Sequence, residues 1–257
     1  MAADPTSPAF TDDAALGGRL TLRQPARGHR FGHDAILLAA ATPAAAGEVA
    51  VDLGAGVGAA GLALARRVAD LTVHLVEIDP ELAELARHNA ERNGLGGRVV
   101  THALDVAAPA EAFAAAGLAA GCADRVLMNP PFHAAGRAQA SPDARRRVAH
   151  VAPAGTLVAW LGVAARLLRP GGTLSVIHRA DGLGELLGAL APAFGAVAIL
   201  PVHPRPDAAA IRIVVCATKG SAAPPSLLPG LWLNRADGQP SAEAEAVLRA
   251  GAALGWL

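Results

Sequence analysis

The sequence predicts an α/β fold with a doubly wound sheet of seven strands, mostly parallel, with one antiparallel strand. Three observations predict it. Apolar runs with β-branched residues alternate with helical patterns along most of the chain, which is typical of a parallel sheet covered by helices. A glycine-rich turn follows the first of these runs. Two late apolar runs are joined by a polar loop that contains proline, which indicates a closing hairpin and one reversed strand.

The region before the sheet is predicted to hold a flexible tail and a basic cap. Residues 1–17 form the tail, and residues 18–46 form the cap. Within the cap, "LRQPARGHRFGHDAILLAAATP" predicts a basic turn segment that enters a short helix. Asp34 lies near the start of that helix and Pro43 lies just past its end, as expected at helix boundaries.

The strands and helices of the sheet alternate along most of the chain. The predicted strands are, in order, "EVAVDLG", "LTVHLVEID", "GRVVTHALDV", "ADRVLMN" and "GTLSVIH". The predicted helices are "GAAGLALARRVA", "DPELAELARHNAERNG", "GTLVAWLGVAARLLRPGG" and "DGLGELLGALAPAFG". The second helix has the clearest boundaries, because Asp79 can cap it, Pro80 suits its first turn and Asn93-Gly94 can end it.

The last part of the chain is predicted to close the sheet and to end in a tail. "AVAILPVHP" and "AIRIVVCATKG" form the hairpin. The tail covers residues 220–257, with a flexible break at "KGSAAPPSLLPG" and a final helix at "SAEAEAVLRAGA". No long linker separates these segments, so residues 18–257 are predicted to form a single domain.

Composition limits the class of protein. The formal net charge is zero, which disfavours a basic field over the whole surface but leaves local patches possible. Cys122 and Cys216 are far apart and suggest reduced thiols in a cytoplasmic protein. The spacing of Cys and His predicts no metal site, and no apolar run is long enough to span a membrane. The N-terminal residues do not have the pattern of a signal peptide.

A glycine loop follows the first strand in "VDLGAGVGAAG". Gly54, Gly56 and Gly58 permit a tight turn and let backbone N–H groups approach a ligand, as in Rossmann-like nucleotide-binding folds. A plain turn is the alternative. Glu77 ends the next strand, where a carboxylate can accept hydrogen bonds from ribose hydroxyls. Asp79 is equally suited to cap a helix or to contact a cofactor, and Asp105 ends the third strand.

The fourth strand ends in "VLMNPPFH", which raises the question of what chemistry needs an amide, a rigid turn and a ring together. The exocyclic amino group of a nucleobase is a poor nucleophile. The side-chain oxygen of Asn129 and the carbonyl of Pro130, held rigid by Pro131, can accept its two hydrogens. Phe132 can stack on the base. A β-turn with Phe132 in the core is the alternative, and the polar ends of the preceding strands favour the catalytic interpretation.

Residues 50–132 resemble the class I S-adenosylmethionine-dependent methyltransferases in "DLGAGVG", "VEID", "LDV" and "NPPF". "LRQPARGHRFGHDAILLAA", "RLLRPGGTLSVIHR", "PVHPRP" and "ATKG" extend the resemblance to the bacterial tRNA1(Val) adenine-37 N6-methyltransferase family. The resemblance implies methyl transfer from S-adenosylmethionine to N6 of an adenine in RNA, with tRNA as the expected substrate. The residues it implies for cofactor binding are Asp52, Gly54, Gly56, Glu77, Asp79, Asp105 and Asn129. The residues it implies for catalysis are Asn129, Pro130, Pro131 and Phe132.

Two further features bear on the acceptor. The chain has no Tyr, and the candidates for a second ring opposite Phe132 are Phe31 and Trp160. Basic residues cluster where RNA phosphates could be bound, although an ordinary solvated loop is the alternative at each position. The candidate RNA-binding residues are Arg30, Arg137, Arg145, Arg146, Arg147, His203 and Arg205.

Other functions remain open from the residues alone. The same amide geometry could serve a guanine amino group in rRNA or a protein glutamine amide. A nicotinamide-dependent oxidoreductase would fit the glycine loop and Glu77, but it gives "NPPF" no role. An RNA-binding module without catalysis would not need the full set of motifs. The sequence does not indicate an oligomeric state.

Overall fold

A sheet of nine strands forms the centre of the computed structural model, which describes residues 9–27, 30–131 and 155–255. Seven of its strands are long. They are β3 (Val49–Leu53), β4 (Thr72–Glu77), β5 (Val99–Ala103), β6 (Ala123–Met128), β7 (Leu168–Arg179), β8 (Phe194–His203) and β9 (Arg212–Lys219). In space their order is β5-β4-β3-β6-β7-β9-β8.

Strand direction confirms the predicted fold class. Strands β3 to β7 pair in parallel, whereas β9 is antiparallel to both of its neighbours, β7 and β8. The chain moves outward from β3 through β4 to β5 and then crosses to the other side of β3 to form β6. The edge between β3 and β6 is therefore the topological switch point, where ligands bind in folds of this class.

Helices cover both faces of the sheet and create two apolar cores. One core includes side chains from α1 (His33–Ala41), α2 (Ala59–Arg67) and α3 (Pro80–Arg92). The other includes side chains from α4 (Ala110–Ala115), α5 (Thr156–Leu167) and α6 (Leu183–Leu190). Asp79 caps α3 by accepting hydrogen bonds from the N–H groups of Glu81 and Leu82, as its position before Pro80 predicts. None of the helices in these ranges is long and apolar enough to span a bilayer.

An N-terminal hairpin replaces part of the predicted flexible tail. Strand β1 (Phe10–Ala15) pairs antiparallel with β2 (Leu20–Pro25), so the expectation of a tail up to residue 17 is corrected from Phe10 onward. The physical reason lies in β2, where Leu20 and Leu22 alternate with polar residues and are fully buried. Burying this face stabilises β2, and β1 then satisfies the backbone groups along its outer edge.

The C-terminal tail also contributes to the sheet. Two short strands, β10 (Ser226–Leu227) and β11 (Leu231–Trp232), pair in parallel with β8. β10 lies within the segment that the sequence predicted to be a flexible break, and β11 follows directly after that segment. The final helix, α7 (Ala242–Leu248), begins after Ser241, whose side chain accepts a hydrogen bond from the N–H of Ala244. Beyond it, Leu254 donates a backbone hydrogen bond to Ala40 in α1, which returns the tail to the core.

Candidate active site

The carboxyl ends of four neighbouring strands bring the predicted site residues to one edge of the sheet. Gly54 follows β3, Glu77 ends β4, and Asn129 follows β6. The register pairs Leu53 with Val76 on one side and with Met128 on the other. Gly54 therefore lies between the end of β4 and the end of β6, at the switch point.

The glycine loop is strongly curved. Gly54, Gly56 and Gly58 all have positive φ angles, of 73°, 57° and 87°, a region that favours glycine. The N–H groups of Gly54 and Ala55 both donate to the carbonyl of Val76, at 2.9 and 3.0 Å. These two bonds hold the loop against the end of β4 and place its backbone at the sheet edge.

Glu77 holds the same loop through its side chain. One carboxylate oxygen accepts a hydrogen bond from Gly56 N–H at 2.8 Å, and the other accepts one from Asp79 N–H at 2.9 Å. The residue is only 7% exposed, and this burial raises the pKa of its carboxyl group. Each carboxylate oxygen can accept a further hydrogen bond, so Glu77 keeps acceptor capacity for ribose hydroxyls.

Asp52 lies beneath the loop. It is 2% exposed and accepts a hydrogen bond from the N–H of Gly61 in α2 at 2.9 Å. Burial raises the pKa of Asp52 to about 7. This hydrogen bond joins β3 to the first turn of α2, and a direct contact between Asp52 and a cofactor remains a prediction.

Asp79 and Asp105 differ in their surroundings. Asp79 is engaged as the cap of α3, one of the two roles that its position allows. Asp105 is exposed and accepts a hydrogen bond from Ala107 N–H at 2.8 Å. Between Glu77 and Asp79, the side chain of Ile78 is 61% exposed and offers an apolar surface beside the Glu77 carboxylate. The sequence analysis did not identify Ile78. The available signal was an apolar residue directly after a strand-end carboxylate.

Asn129 carries the most distinctive polar atom of the site. Its side-chain oxygen is buried and has no hydrogen-bond partner among the residues that the structure describes. Pro130 is buried and Pro131 is half-buried. Phe132, predicted to stack on the acceptor, lies outside the described residues. A buried acceptor without a partner is uncommon in folded proteins, and here it lies at the switch point.

Trp160 lies over the glycine loop. It projects from α5 and is half-buried, and a Cβ atom added to Gly54 would lie only 2.5 Å from its Cη2 atom. The indole ring is thus in contact with Gly54, next to the end of β6. Phe31, the other candidate ring, packs against the core on the opposite face of the sheet. The sequence identified both rings as candidates and did not indicate which of them lies beside the glycine loop.

The predicted RNA-binding residues are only partly described. Arg30 pairs with Asp13 at 2.8 Å, Arg205 pairs with Asp207 at 2.9 Å, and the Nδ1 atom of His203 is 2.8 Å from the carbonyl oxygen of Ala208. Each is therefore engaged locally. Arg137, Arg145, Arg146 and Arg147 lie outside the described residues. Within residues 9–27, 30–131 and 155–255, no cluster of three or more His, Cys, Asp or Glu could hold a metal ion.

Comparisons with known proteins agree with this geometry. The family model of the methyltransferase small domain matches residues 30–201. A curated tRNA1(Val) (adenine(37)-N6)-methyltransferase from Porphyromonas gingivalis is 32% identical over 161 residues, which are 61% of each chain. A release factor glutamine methyltransferase from Chlorobaculum tepidum is 31% identical over 61% of this chain and 54% of its own. The chain thus spans less than two thirds of the length of these two curated relatives.

A solved structure gives the same result at the level of the fold. The crystal structure of a predicted O-methyltransferase from Agrobacterium tumefaciens is 30% identical to this chain, with a TM-score of 0.72. The superposition covers 86% of this chain and 97% of that chain. The Agrobacterium protein therefore shares nearly all of its architecture with the protein described here.

Proposed function

Because the chain belongs to the methyltransferase small domain family, we propose that it transfers a methyl group from S-adenosylmethionine to N6 of an adenine in RNA, with tRNA as the substrate class. The family resemblance predicted from the sequence is confirmed by the family model and the relatives. The observation that carries the proposal of an amino acceptor is the buried, unpartnered side-chain oxygen of Asn129.

The glycine loop and its neighbours fit S-adenosylmethionine. Backbone N–H groups of a curved glycine loop suit its amino-acid end, and the free acceptor capacity of Glu77 suits its ribose. Ile78 adds an exposed apolar surface on which its adenine can lie. Asp52, Gly54, Gly56, Asp79 and Asp105 complete the proposed cofactor site. When bound, this group supplies a methyl carbon that is activated by an adjacent sulfonium.

Asn129 can prepare the amino group for attack. The lone pair of an exocyclic amino nitrogen is delocalised into the ring, so the nitrogen needs to be held with its lone pair directed out of the ring plane. The oxygen of Asn129 accepts one amino hydrogen and the carbonyl of Pro130 accepts the other. Because both acceptors are in place before the reaction, they act by positioning and electrostatic preorganisation. The nitrogen would form the bond to the methyl carbon as the carbon–sulfur bond breaks, with that electron pair left on sulfur, and would then lose one proton to solvent.

Rings and charges complete the proposed acceptor site. Phe132 would stack on one face of the flipped base, a contact that is worth roughly 1–3 kcal/mol. Trp160, which already touches Gly54, would form the wall between the cofactor loop and the base. Arg30, His203 and Arg205 are held by local partners, so we assign phosphate binding mainly to Arg137 and Arg145–Arg147. A cytoplasmic location is part of the same proposal.

The test uses unmodified total RNA from a strain that lacks the gene. The RNA is incubated with the protein and methyl-labelled S-adenosylmethionine, digested to nucleosides and separated by mass. We expect label in N6-methyladenosine from the tRNA fraction, and loss of that label in Asn129→Ala. Asn129→Asp is the matched control, because a carboxylate keeps an acceptor oxygen at the same position. Label in another nucleoside would assign a different acceptor base.

A protein glutamine amide is the second candidate acceptor. The Chlorobaculum tepidum relative is named as a release factor glutamine methyltransferase, and the zero formal net charge of this chain suits a protein substrate as well as RNA. A glutamine amide presents the same N–H groups to Asn129. Label in protein, with none in RNA, would favour this acceptor. Binding of S-adenosylmethionine with no transfer to either would overturn both.

A further inference from the structure

Two asparagines of α3 bind the N-terminal hairpin through their side chains. The side-chain oxygen of Asn89 accepts a hydrogen bond from Arg23 N–H at 2.7 Å, and its Nδ2 donates to the carbonyl of Arg23 at 2.9 Å. One turn later, Asn93 makes the same pair of bonds to Thr21, at 3.0 and 2.9 Å. Each amide thus pairs with the backbone of β2 as a neighbouring strand would.

The third bond distinguishes the two asparagines. Nδ2 of Asn89 also donates to the carbonyl of Val57 at 3.0 Å, in the glycine loop. Nδ2 of Asn93 instead donates to the carbonyl of Asn89 at 2.7 Å, within its own helix. Only Asn89 therefore joins the hairpin to the loop that is proposed to hold the cofactor.

Asn89 has little freedom to move. Its side chain is 0% exposed, and both hydrogens of its amide are already donated, to Arg23 and to Val57. A rotation of the amide would break bonds to the hairpin and to the loop at the same time. Glu77 holds the N–H of Gly56, and Asn89 holds the carbonyl of the next residue. The loop is thus fixed at two adjacent positions by β4 and α3.

The hairpin extends this connection toward the start of α1. The side-chain oxygen of Gln24 in β2 accepts a hydrogen bond from Phe31 N–H at 3.0 Å. Asp34, in the first turn of α1, pairs with Arg212 at 2.8 Å, and Arg212 lies opposite Arg179 at the end of β7. A shift of β2 would therefore reach the carboxyl edge of the sheet beside the acceptor site.

We propose that Asn89 is a positioning residue that couples the cofactor loop to docking of the N-terminal hairpin. The coupling rests on the proposed function, because it takes S-adenosylmethionine as the ligand of the loop. Ligand binding that orders the loop strengthens the bonds of Asn89, and a docked hairpin in turn strengthens ligand binding. This effect is reciprocal by thermodynamic linkage.

The experiment compares Asn89→Ala with Asn93→Ala as the matched control, since both remove two bonds to β2 and only the first removes the bond to the loop. Calorimetry should give about 10-fold weaker binding of S-adenosylmethionine in Asn89→Ala and less than about 3-fold in Asn93→Ala. The single-turnover rate at saturating cofactor should stay within about 3-fold of wild type in both, because neither residue touches the reacting atoms. A merely structural role would lower thermal stability in both and change affinity equally.

Hydrogen exchange tests the coupling directly. In wild type and in Asn93→Ala, S-adenosylmethionine should slow exchange in the peptide that contains β2, and in Asn89→Ala this slowing should be lost. If Asn89→Ala does not fold, Asn89→Ser replaces it in the same comparison. The change in exchange of β2 in the wild type then also tests the coupling. Cofactor binding without added protection of β2 in wild type would overturn the coupling and leave the proposed function intact. No cofactor binding by wild type would overturn the proposed function itself.

Discussion

The two halves of the carboxyl edge differ in how their polar groups are satisfied. In the cofactor half, at the ends of β3, β4 and β5, each carboxylate already accepts a backbone hydrogen bond. Glu77 holds Gly56 and Asp79, and Asp52 holds Gly61. In the acceptor half, at the end of β6, the oxygen of Asn129 is buried and has no partner in the described structure.

This difference concerns whether the polar groups of each half find their hydrogen-bond partners within the protein or in a ligand. Leaving a buried acceptor without a hydrogen bond costs about 1–3 kcal/mol, and a ligand that supplies the missing donor is one explanation for such an atom. The carboxylates of the cofactor half hold the protein's own backbone N–H groups. Under the proposed function, the acceptor half receives its last hydrogen bond from the substrate, as expected of a site that selects an N–H group.

The largest effect is expected from Asn129→Ala. The change removes one acceptor for the amino group, and loss of one preorganised hydrogen-bonding group typically lowers rates by about 10²–10³-fold. We expect that reduction in the single-turnover rate of methyl transfer to RNA, with the dissociation constant of S-adenosylmethionine changed by less than about 3-fold. Calorimetry measures the dissociation constant of S-adenosylmethionine, and rapid quench measures the single-turnover rate.

Thermal stability sharpens the same comparison. Because the oxygen of Asn129 has no partner in the described structure and its burial costs free energy, Asn129→Ala should leave the melting temperature unchanged or raise it. Glu77→Gln, in the cofactor half, replaces an oxygen that accepts from a backbone N–H by an NH2 group, and it should lower the melting temperature. Equal losses in the two variants would mean that the acceptor half is as internally bonded as the cofactor half.

The next largest effect is expected from Gly54→Ala. This variant tests the contact between Gly54 and Trp160, at the boundary between the two halves. The new Cβ would lie 2.5 Å from Cη2 of Trp160, and φ at this position is +73°. Gly47→Ala is the matched control, because Gly47 has a φ of +81° and nothing within 4 Å of an added Cβ. Denaturant unfolding should show a loss of about 1–2 kcal/mol for the control from backbone strain, and a larger loss for Gly54→Ala.

A double variant separates two effects of Gly54→Ala, the steric clash with Trp160 and the backbone strain at positive φ. Trp160→Leu removes the ring from Gly54, so Gly54→Ala should be less destabilising in that background than in wild type, a coupling that a double-mutant cycle measures. Additive effects would show that Trp160 does not restrict the loop. The same variants indicate whether the ring bounds the cofactor half, because Trp160→Leu should then change the affinity for S-adenosylmethionine.

The sequence predicted the cofactor half better than its surroundings. Glu77 follows an apolar run and Gly54 follows another, so local pattern places both at strand ends, and parallel pairing brings them together. The hairpin at Phe10–Ala15 was missed because its strand is mostly exposed and depends on β2. The contact between Trp160 and Gly54 joins residues over 100 positions apart, and no local signal encodes it.

The acceptor half was predicted in kind but not in detail. "NPPF" at a strand end pointed to an amide, a rigid turn and a ring. Whether the oxygen of Asn129 would find a partner depends on the packing around it, which the sequence does not specify. Asn89 was likewise interpreted only as part of a helix, because a side chain that bonds to two separate segments leaves no periodic signature.

A smaller, pH-dependent effect is expected from Asp52→Asn. Burial raises the pKa of Asp52 from 3.8 to about 7, so the folded protein binds this proton more tightly than the unfolded chain does. The stability from this group is full below its unfolded pKa and is lost as pH rises through the folded pKa. The Asn side chain keeps an oxygen for Gly61, so the gain in melting temperature should be larger at about pH 8 than at about pH 5.

The smallest effect is expected from the histidine pair of the cofactor half. Nδ1 of His74 on β4 lies 2.9 Å from Nε2 of His102 on β5, and the rings stack. Burial lowers the pKa of both side chains from 6.5, and the charge of His74 lowers that of His102 further. Since the unfolded chain then binds more protons, the free energy of unfolding should fall as pH falls below about 6.5.

Hydrogen exchange locates that loss within the sheet. Among the strands of residues 9–27, 30–131 and 155–255, β5 is an edge strand that pairs only with β4, so acid should release β5 before β6, which lies between β3 and β7. Exchange corrected for its intrinsic pH dependence should therefore accelerate in Val99–Ala103 and stay nearly constant in Ala123–Met128. In His102→Gln the acceleration should shrink, while His178, whose pKa is also lowered by burial, keeps its own contribution. Equal acceleration in both strands would mean that acid destabilises the sheet as a whole, and the cofactor half would then not differ from the acceptor half in its response to acid.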